Sequence, residues 1–265
     1  MLKLRGGIAA IAFLCLSGGA NAADPLAVGR QMLADDNPGD LWAQRGERLF
    51  HEKRGPKQAS LDKCDLGLGP GKVEGAFAQL PRYFSDTDKV QDLESRLLTC
   101  MVELQGFKRE DIVKNRFGNL DRMSDMEALV SFIGSKSNGM KMNVSLNQQK
   151  EYDMYKAGEY IFYRRSGPFD FSCATCHTEN GKRIRLQDLP NMTDPKQMQA
   201  VVATAWPAYR GTQSTVRTMQ HRLSDCNWQM RLPDLGYASD MSVALTTYLN
   251  RSGNGGVIEL PGVRR

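Results

Sequence analysis

The chain contains an internal repeat, and this feature limits its possible folds more than any other. Residues 46–50 (GERLF) resemble residues 158–162 (GEYIF), and Cys64 falls at the position of Cys176. Further pairs follow in the same order: Leu80-Pro81 with Leu189-Pro190, Arg96-Leu97-x-x-Cys100 with Arg222-Leu223-x-x-Cys226, Ser124-Asp125-Met126 with Ser239-Asp240-Met241, and Asn138-Gly139 with Asn254-Gly255. Because the order is kept along the chain, these matches predict two copies of one domain. We expect the copies within residues 23–145 and 146–265.

Both copies are predicted to be mainly α-helical. Apolar residues recur at helical spacing in residues 41–54 and 152–165, and again in 124–134 and 239–250. Asp125 and Asp240 stand where a helix N-cap is expected. The stretches between these segments are rich in Gly, Pro, Asp and Asn, which indicates loops, and no segment sustains the alternation of a β-strand. Small helical domains with long loops have thin cores, so a buried prosthetic group would supply apolar mass.

Residues 173–177 (CATCH) form the attachment motif of a c-type haem. The thiols of Cys173 and Cys176 bond to the two vinyl groups of one porphyrin, and His177 is placed to bind the iron as the proximal ligand. A redox pair of thioredoxin type would need a surrounding βαβ unit, and a zinc site would need a second ligand pair; neither pattern is present. We therefore expect one covalent haem c in the second copy.

The first copy lacks this motif. Leu61 stands where the second copy has Cys173, and Asp65 stands where it has His177. A missing thioether and a carboxylate in the proximal position predict a degenerate domain. The predicted fold class is thus mainly α, with two tandem cytochrome c-like domains of which the first has no haem.

The N-terminus has the three parts of a secretory signal. Lys3 and Arg5 precede an apolar stretch over residues 8–16, and residues 20–22 (ANA) resemble a cleavage site. The apolar stretch is too short to span a bilayer. We expect residues 1–22 to be a cleaved signal peptide, and the mature chain to be periplasmic without membrane insertion. The formal net charge of +5 is only mildly basic and gives no indication of nucleic-acid binding.

Export also bears on the cysteines outside the haem motif. With the haem absent from the first copy, the space around Cys64 and Cys100 must collapse, and two thiols in an oxidising compartment are expected to pair. A disulfide between them would add roughly 3–4 kcal/mol of stability in the chain-entropy model. The alternative is two separate buried thiols. Cys226 is left over as an unpaired thiol.

The residue on the second face of the iron has several candidates. One His and several Met residues follow the motif: His221, Met192, Met198, Met219, Met230 and Met241. The repeat singles out Cys226 instead, which lies in a stretch of helical character. Arg222 lies four residues earlier and so shares its helix face, where a cation favours the thiolate. The alternative for Cys226 is an inert buried cysteine.

These features together resemble a known family. The duplicated cytochrome, the single haem motif and the pattern Arg222-x-x-x-Cys226-x-x-Gln229-Met230-Arg231 are similar to the SoxA family, the cytochrome subunits of the bacterial thiosulfate-oxidising Sox system. The resemblance covers nearly the whole mature chain. Some members carry two haems, and the degenerate first copy makes this chain similar to the single-haem form.

The resemblance implies an enzyme subunit. It implies a heterodimer with the small cytochrome SoxX. The SoxA subunit joins thiosulfate oxidatively to a cysteine of the carrier protein SoxYZ, and the electrons pass to SoxX. It also implies that His177 is the proximal iron ligand and that Cys226 is the distal ligand and catalytic residue, present in the family as a persulfide. Arg222 would orient the sulfonate of thiosulfate. Arg231 and Lys182 are further candidates for lining the approach.

Two other functions stay open from the sequence. The chain could be a plain periplasmic electron-transfer cytochrome with His and Met ligands. It could also be a structural subunit whose partner carries out the chemistry.

Overall fold

The computed structural model describes residues 36–184 and 187–264. The predicted signal peptide, residues 1–22, lies outside the described residues. The helices are α1 Asp40–His51, α2 Leu93–Glu103, α3 Arg109–Lys114, α4 Asp125–Ser135, α5 Gln149–Tyr163, α6 Cys173–His177, α7 Pro195–Ala203, α8 Met219–Gln229 and α9 Asp240–Ser252, with a 3-10 turn at Phe77–Gln79. The strands are β1 Arg82–Phe84, β2 Lys89–Gln91, β3 Arg183–Ile184, β4 Gln187–Asp188, β5 Ala208–Arg210, β6 Thr215–Arg217 and β7 Gly262–Arg264. The architecture is therefore mainly helical, as predicted.

The same helix pair forms the centre of each half. Helix α1 packs against α4 in the first half, and α5 packs against α9 in the second. A Cβ atom at Gly46 would overlap the carbonyl oxygen of Ala128, and one at Gly158 would overlap that of Ala244. Gly46 and Gly158, which occupy equivalent positions in the two copies, are thus the residues that let each helix pair approach closely.

Serine, and not aspartate, begins α4 and α9. The side chain of Ser124 accepts the backbone N–H of Glu127, and Ser239 caps α9 in the same way. The expected N-caps Asp125 and Asp240 are wrong by one residue, since both lie at the first helical position. A carboxylate there still interacts favourably with the helix dipole, and Asp125 pairs with Arg45 and Arg54.

A short hairpin precedes one of the long helices in each half. Strands β1 and β2 pair antiparallel with Arg82 opposite Gln91, and α2 follows. Strands β5 and β6 pair with Ala208 opposite Arg217, and α8 follows; β7 adds to β5 in parallel. The hairpins correct one match made from the sequence. Leu80-Pro81 precedes β1, and the pair that precedes β5 is Trp206-Pro207, not Leu189-Pro190.

One apolar core runs through both halves. Phe50, Leu97 and Leu129 of the first half belong to the same cluster of buried side chains as Met198 and Leu249 of the second. Backbone hydrogen bonds also join the halves, including two between residue 142 and residues 255 and 256. The two copies are therefore packed as parts of one folded unit.

The first half contains a disulfide between Cys64 and Cys100, with an S–S distance of 2.03 Å and a Cα–Cα distance of 5.6 Å. Leu61, at the position of the missing haem cysteine, is fully buried beside it in the core. The Oδ1 atom of Asp65, at the position of the haem histidine, accepts the backbone N–H groups of Gly67 and Gly69. The apolar side chain, the disulfide and the loop thus satisfy this region with the chain's own atoms.

Candidate haem and thiol site

The haem motif forms a helix of its own. Helix α6 consists of the five residues Cys173–His177, and Ser172 caps it by accepting the N–H of Thr175, whose side chain bonds back to the N–H of Ser172. This single turn holds two thiols and one imidazole in fixed relative positions. Both thiols are partly exposed and outside any disulfide of the described residues. The three groups therefore have the arrangement that two thioether bonds and one proximal ligand require.

The imidazole of His177 is oriented by the backbone. Its Nδ1 atom lies 2.9 Å from the carbonyl oxygen of Pro190, so Nδ1 donates its proton and Nε2 keeps its lone pair. A second hydrogen bond of this kind is the usual support of a metal-binding histidine. Burial lowers the pKa of His177, and the charge of Arg222 adds to this effect. The side chain is thus held neutral, as an iron ligand must be, and the residues present fit a c-type haem.

Cys226 lies on α8, in the same region as the haem thiols. Burial raises the pKa of Cys173 to about 12, and the charge of Cys226 is the second cause. The pKa of Cys226 is itself raised, first by burial and then by Asp225 and Cys176, while Arg222 and Arg210 lower it. The mutual influence places the three thiols in one electrostatic neighbourhood. The predicted effect of Arg222 on the Cys226 thiol is present, but burial outweighs it, so the pKa of Cys226 is raised in the protein alone.

Arg222 reaches this neighbourhood with its charge unpaired. Its guanidinium carbon lies 5.8 Å from the ring centroid of Trp206. The described part of the chain gives it neither a carboxylate within ion-pair distance nor a side-chain hydrogen bond, and its charge affects both Cys226 and His177. Arg222 is therefore available to bind an anion beside the thiol.

The two further candidates for the approach have other partners. The Nζ atom of Lys182 lies 2.9 Å from Glu179, with both side chains exposed. The guanidinium of Arg231 lies 5.6 Å from the ring of Trp228, which is largely exposed. Neither residue is brought to Cys226 by a contact that the structure describes.

His221 is buried between the two halves. Its Nδ1 atom lies 2.6 Å from Oε1 of Glu127, and its ring stacks on Phe117 at 3.7 Å. Burial raises the pKa of Glu127 to about 8 and lowers that of His221 to about 2. Because separating charge in this site is costly, the pair is neutral and the carboxylic acid donates to the imidazole. His221 thus binds the first half, and its role as an iron-ligand candidate is not supported.

A second buried carboxyl group holds the start of α8. Glu94 Oε1 accepts the N–H of Gln220 at 3.2 Å, and Glu94 Oε2 accepts the hydroxyl of Tyr237 at 2.9 Å. The side chain of Gln220 also donates to Asp92 at 2.6 Å. These contacts were not predicted from the sequence. The one signal for them is an acidic residue within an apolar helical run, as at Glu127 in residues 125–135. The helix that carries Cys226 is therefore anchored by the first half.

The fold and the site define a class of protein, a tandem and mainly helical c-type cytochrome. Residues 45–142 and 157–258 match the family model described as the SoxA/TsdA cytochrome c domain. The chain belongs to this family, which implies haem c as its cofactor. The two matched segments agree with the two halves of the structure.

Named relatives are similar over most of their length. The L-cysteine S-thiosulfotransferase subunit SoxA of Hydrogenophilus thermoluteolus is 49% identical over 89% of this chain and 86% of that relative. The subunit of the same name from Hydrogenobacter thermophilus is 34% identical over 99% of this chain and 96% of its own length. A chain of the crystal structure of SoxXA from P. pantotrophus superposes with a TM-score of 0.72 at 27% identity, covering 90% of this chain and 84% of that one.

Proposed function

We propose that this chain is the SoxA subunit of an L-cysteine S-thiosulfotransferase. In this proposal it couples thiosulfate oxidatively to a cysteine of the carrier SoxYZ and passes the electrons to the partner cytochrome SoxX. The observation that carries the proposal is the unpaired Arg222 beside Cys226, in the same electrostatic neighbourhood as the haem thiols. The names of the relatives support it, and they favour it over a plain electron-transfer cytochrome.

The proposal includes one haem, bound to the second half through Cys173 and Cys176. The first half offers a single attachment cysteine, Cys64, whose sulfur is already bonded to Cys100. The carboxylate of Asp65 is occupied by its own loop. Both observations support a first domain without haem, within residues 23–145, and a haem domain within residues 146–265.

The reaction joins two sulfur atoms. A bond forms between the terminal sulfur of thiosulfate and the carrier thiol, the thiol proton is released, and two electrons leave for the partner cytochrome. When bound, the haem supplies one-electron steps that carry these electrons away. Burial raises the pKa of Cys226, and a bond to the haem iron would favour its thiolate form.

The chain's own residues then have separate tasks. His177 is held in its ligand tautomer by Pro190. Cys226 presents its sulfur from a half-buried helix face. Arg222 binds the sulfonate oxygens of thiosulfate through paired hydrogen bonds and so points the terminal sulfur at the carrier thiol. Cys226 would be an iron ligand and the catalytic residue, and would carry an extra sulfur as a persulfide.

The proposed location is the periplasm, reached through a signal peptide at residues 1–22. Compartment chemistry supports it, because the disulfide Cys64–Cys100 persists in an oxidising environment. No helix among residues 36–184 and 187–264 is long and apolar enough to cross a membrane.

Replacement of Cys226 by Ala tests the assignment. The haem-loaded variant is combined with the partner cytochrome, the carrier and thiosulfate, and the carrier is weighed by mass spectrometry. We expect the thiosulfate adduct on the carrier to form at least ~100-fold more slowly, because the catalytic thiol of Cys226 is absent. Ser224→Ala is the matched control on the same helix and should keep its rate. An unchanged rate in the Cys226 variant, with haem content intact, would make the chain a structural subunit.

A further inference from the structure

The two β-hairpins of the duplicated domains differ in charge at equivalent positions. The strand registers align Phe84 of the first half with Arg210 of the second, since each ends the first strand of its hairpin. Within the four-residue turns that follow, Asp86 is aligned with Thr212. The helices align Arg96 with Arg222. An otherwise common framework therefore allows a direct comparison of how each half treats the same arginine.

In the first half the arginine is fully satisfied. The Nη1 atom of Arg96 lies 2.8 Å from Oδ2 of Asp86, and its Nε donates to the backbone oxygen of Asp65 at 2.6 Å. Its guanidinium also lies 4.0 Å from the ring of Phe84. The charge of Arg96 is thus neutralised by a carboxylate of its own domain.

In the second half both partners are replaced in ways that leave positive charge unpaired. Thr212 removes the carboxylate, and Arg210 adds a second cation in place of the aromatic ring. The guanidinium carbons of Arg210 and Arg222 lie 6.0 and 5.8 Å from the centroid of the same ring, that of Trp206. The Nε atom of Arg210 is buried and has no hydrogen-bond partner among the described residues. A buried donor without a partner is costly, and two neighbouring cations repel each other.

Other charges near this pair do not cancel it. Asp225 is the nearby carboxylate, and it lies 3.7 Å from Arg217, which also contacts His221. Burial and the charges of Arg222 and Arg217 lower the pKa of Arg210, while Asp225 opposes them only in part. An anion between the two arginines would satisfy the orphaned donor and relieve the repulsion.

We propose that Arg210 and Arg222 together form a two-guanidinium site for the sulfonate end of a sulfur oxyanion dianion, held beside Cys226. The substrate assignment rests on the proposed function, whereas the anion site rests on the two arginines alone. Arg210 is placed for this task on a fixed backbone, because β5 pairs with β6 on one side and β7 on the other. A second guanidinium favours the binding of a dianion over that of a monoanion, so Arg210 is assigned as a specificity-determining residue.

Equilibrium binding of inorganic sulfate and of thiosulfate tests the site. The haem-loaded chain in complex with its partner cytochrome is titrated calorimetrically, and the same anions are followed in steady-state coupling. We expect Arg210→Gln to weaken binding of both anions on the order of tenfold to a hundredfold, from the loss of charged hydrogen bonds. KM for thiosulfate should rise in parallel, with kcat within about threefold. Arg210→Lys keeps the charge but loses the paired N–H donors of the guanidinium. Its affinity for both anions should lie between that of the unmodified chain and that of Arg210→Gln.

Two further variants sharpen the result. Thr212→Asp restores the carboxylate of the first half in an exposed turn, and it should weaken anion binding on the same order because it pairs Arg222 internally. Arg48→Gln removes one exposed positive charge from α1 and should bind as the unmodified chain does. Haem absorbance and melting temperature verify folding of each variant. Sulfate binding by Arg210→Gln within twofold of Arg48→Gln would overturn the proposal.

The anion site and the proposed function can fail separately. If the unmodified complex binds sulfate through Arg210 but forms no thiosulfate adduct on the carrier, the site stands and the thiosulfotransferase assignment falls. If the adduct forms at an unchanged KM in Arg210→Gln, the assignment stands and the two-arginine site falls.

Discussion

The Nδ1 atom of His221 lies 2.6 Å from Oε1 of Glu127, and this contact joins the helix that carries Cys226 to the half of the molecule that lacks the haem motif. Both side chains are almost completely buried, and Phe117 covers the imidazole face. The first half therefore holds the helix on which the thiol is carried.

Replacement of Glu127 tests this anchor. Glu127→Ala removes the partner of a buried imidazole and also the acceptor of the Gly118 N–H, and it should lower the free energy of unfolding by about 1–3 kcal/mol. Glu127→Gln keeps a donor and an acceptor and should cost less. Denaturant titration measures the stability, and the EPR spectrum of the loaded haem reports the position of Cys226. Equal stability of the Ala and Gln variants would contradict the hydrogen-bonding role.

The pH dependence of stability should carry the signature of Glu94. Burial, and next the charge of Asp92, raise the folded-state pKa of Glu94 to about 8, from an ordinary value of 4.5. The unfolded chain then releases this proton at lower pH than the folded one, so stability is fully present below about pH 4.5 and falls as the pH rises to about 8.

The variant Glu94→Gln isolates that contribution, because an amide does not titrate. Its free energy of unfolding, measured by denaturant titration at several pH values, should fall less steeply than that of the unmodified chain, by up to about 1.4 kcal/mol per pH unit. Tyr237→Phe is a useful companion, since it removes the hydroxyl that donates to Glu94 but leaves the carboxyl group in place. Parallel pH profiles for Glu94→Gln and the unmodified chain would exclude an unusual pKa at this position.

The disulfide should contribute to stability and leave the site unchanged. Cys64 and Cys100 are separated by 36 residues, for which the chain-entropy model gives roughly 3–4 kcal/mol. We expect the double variant Cys64→Ala/Cys100→Ala to lose about this amount in denaturant titration, with an unchanged haem absorption spectrum. A changed spectrum would mean that the bridge also shapes the haem site.

The close helix crossings should not tolerate a methyl group. A Cβ at Gly46 or Gly158 meets the backbone of the partner helix, so Gly46→Ala and Gly158→Ala should each lower the melting temperature and cost about 1–3 kcal/mol. Gly211→Ala is the control, because the nearest atom to its new Cβ is the Arg264 oxygen at 3.8 Å. Melting temperatures unchanged in Gly46→Ala and Gly158→Ala would contradict the close helix crossings.

The sequence predicts this molecule unevenly, for physical reasons. Repeat matches and helical periodicity predict the tandem helical fold, because they reflect a short-range pattern. The hairpins were missed because strands of three residues are too short to show alternation. The burial that raises the pKa of Cys226 and the pairing of His221 with Glu127 depend on how distant segments pack. A sequence motif that places an arginine near a cysteine does not show how deeply the cysteine is buried.

Because the core is continuous, the two halves of this chain cannot be separated without exposing buried surface. A fragment holding only the haem half would expose the face of α8 that Glu94 and Glu127 cover, together with the apolar side chains of the shared cluster. The haem half is therefore not a portable module that can be cut out and fused to another protein. The first half is therefore required for the stability of the second, although it has no haem motif of its own.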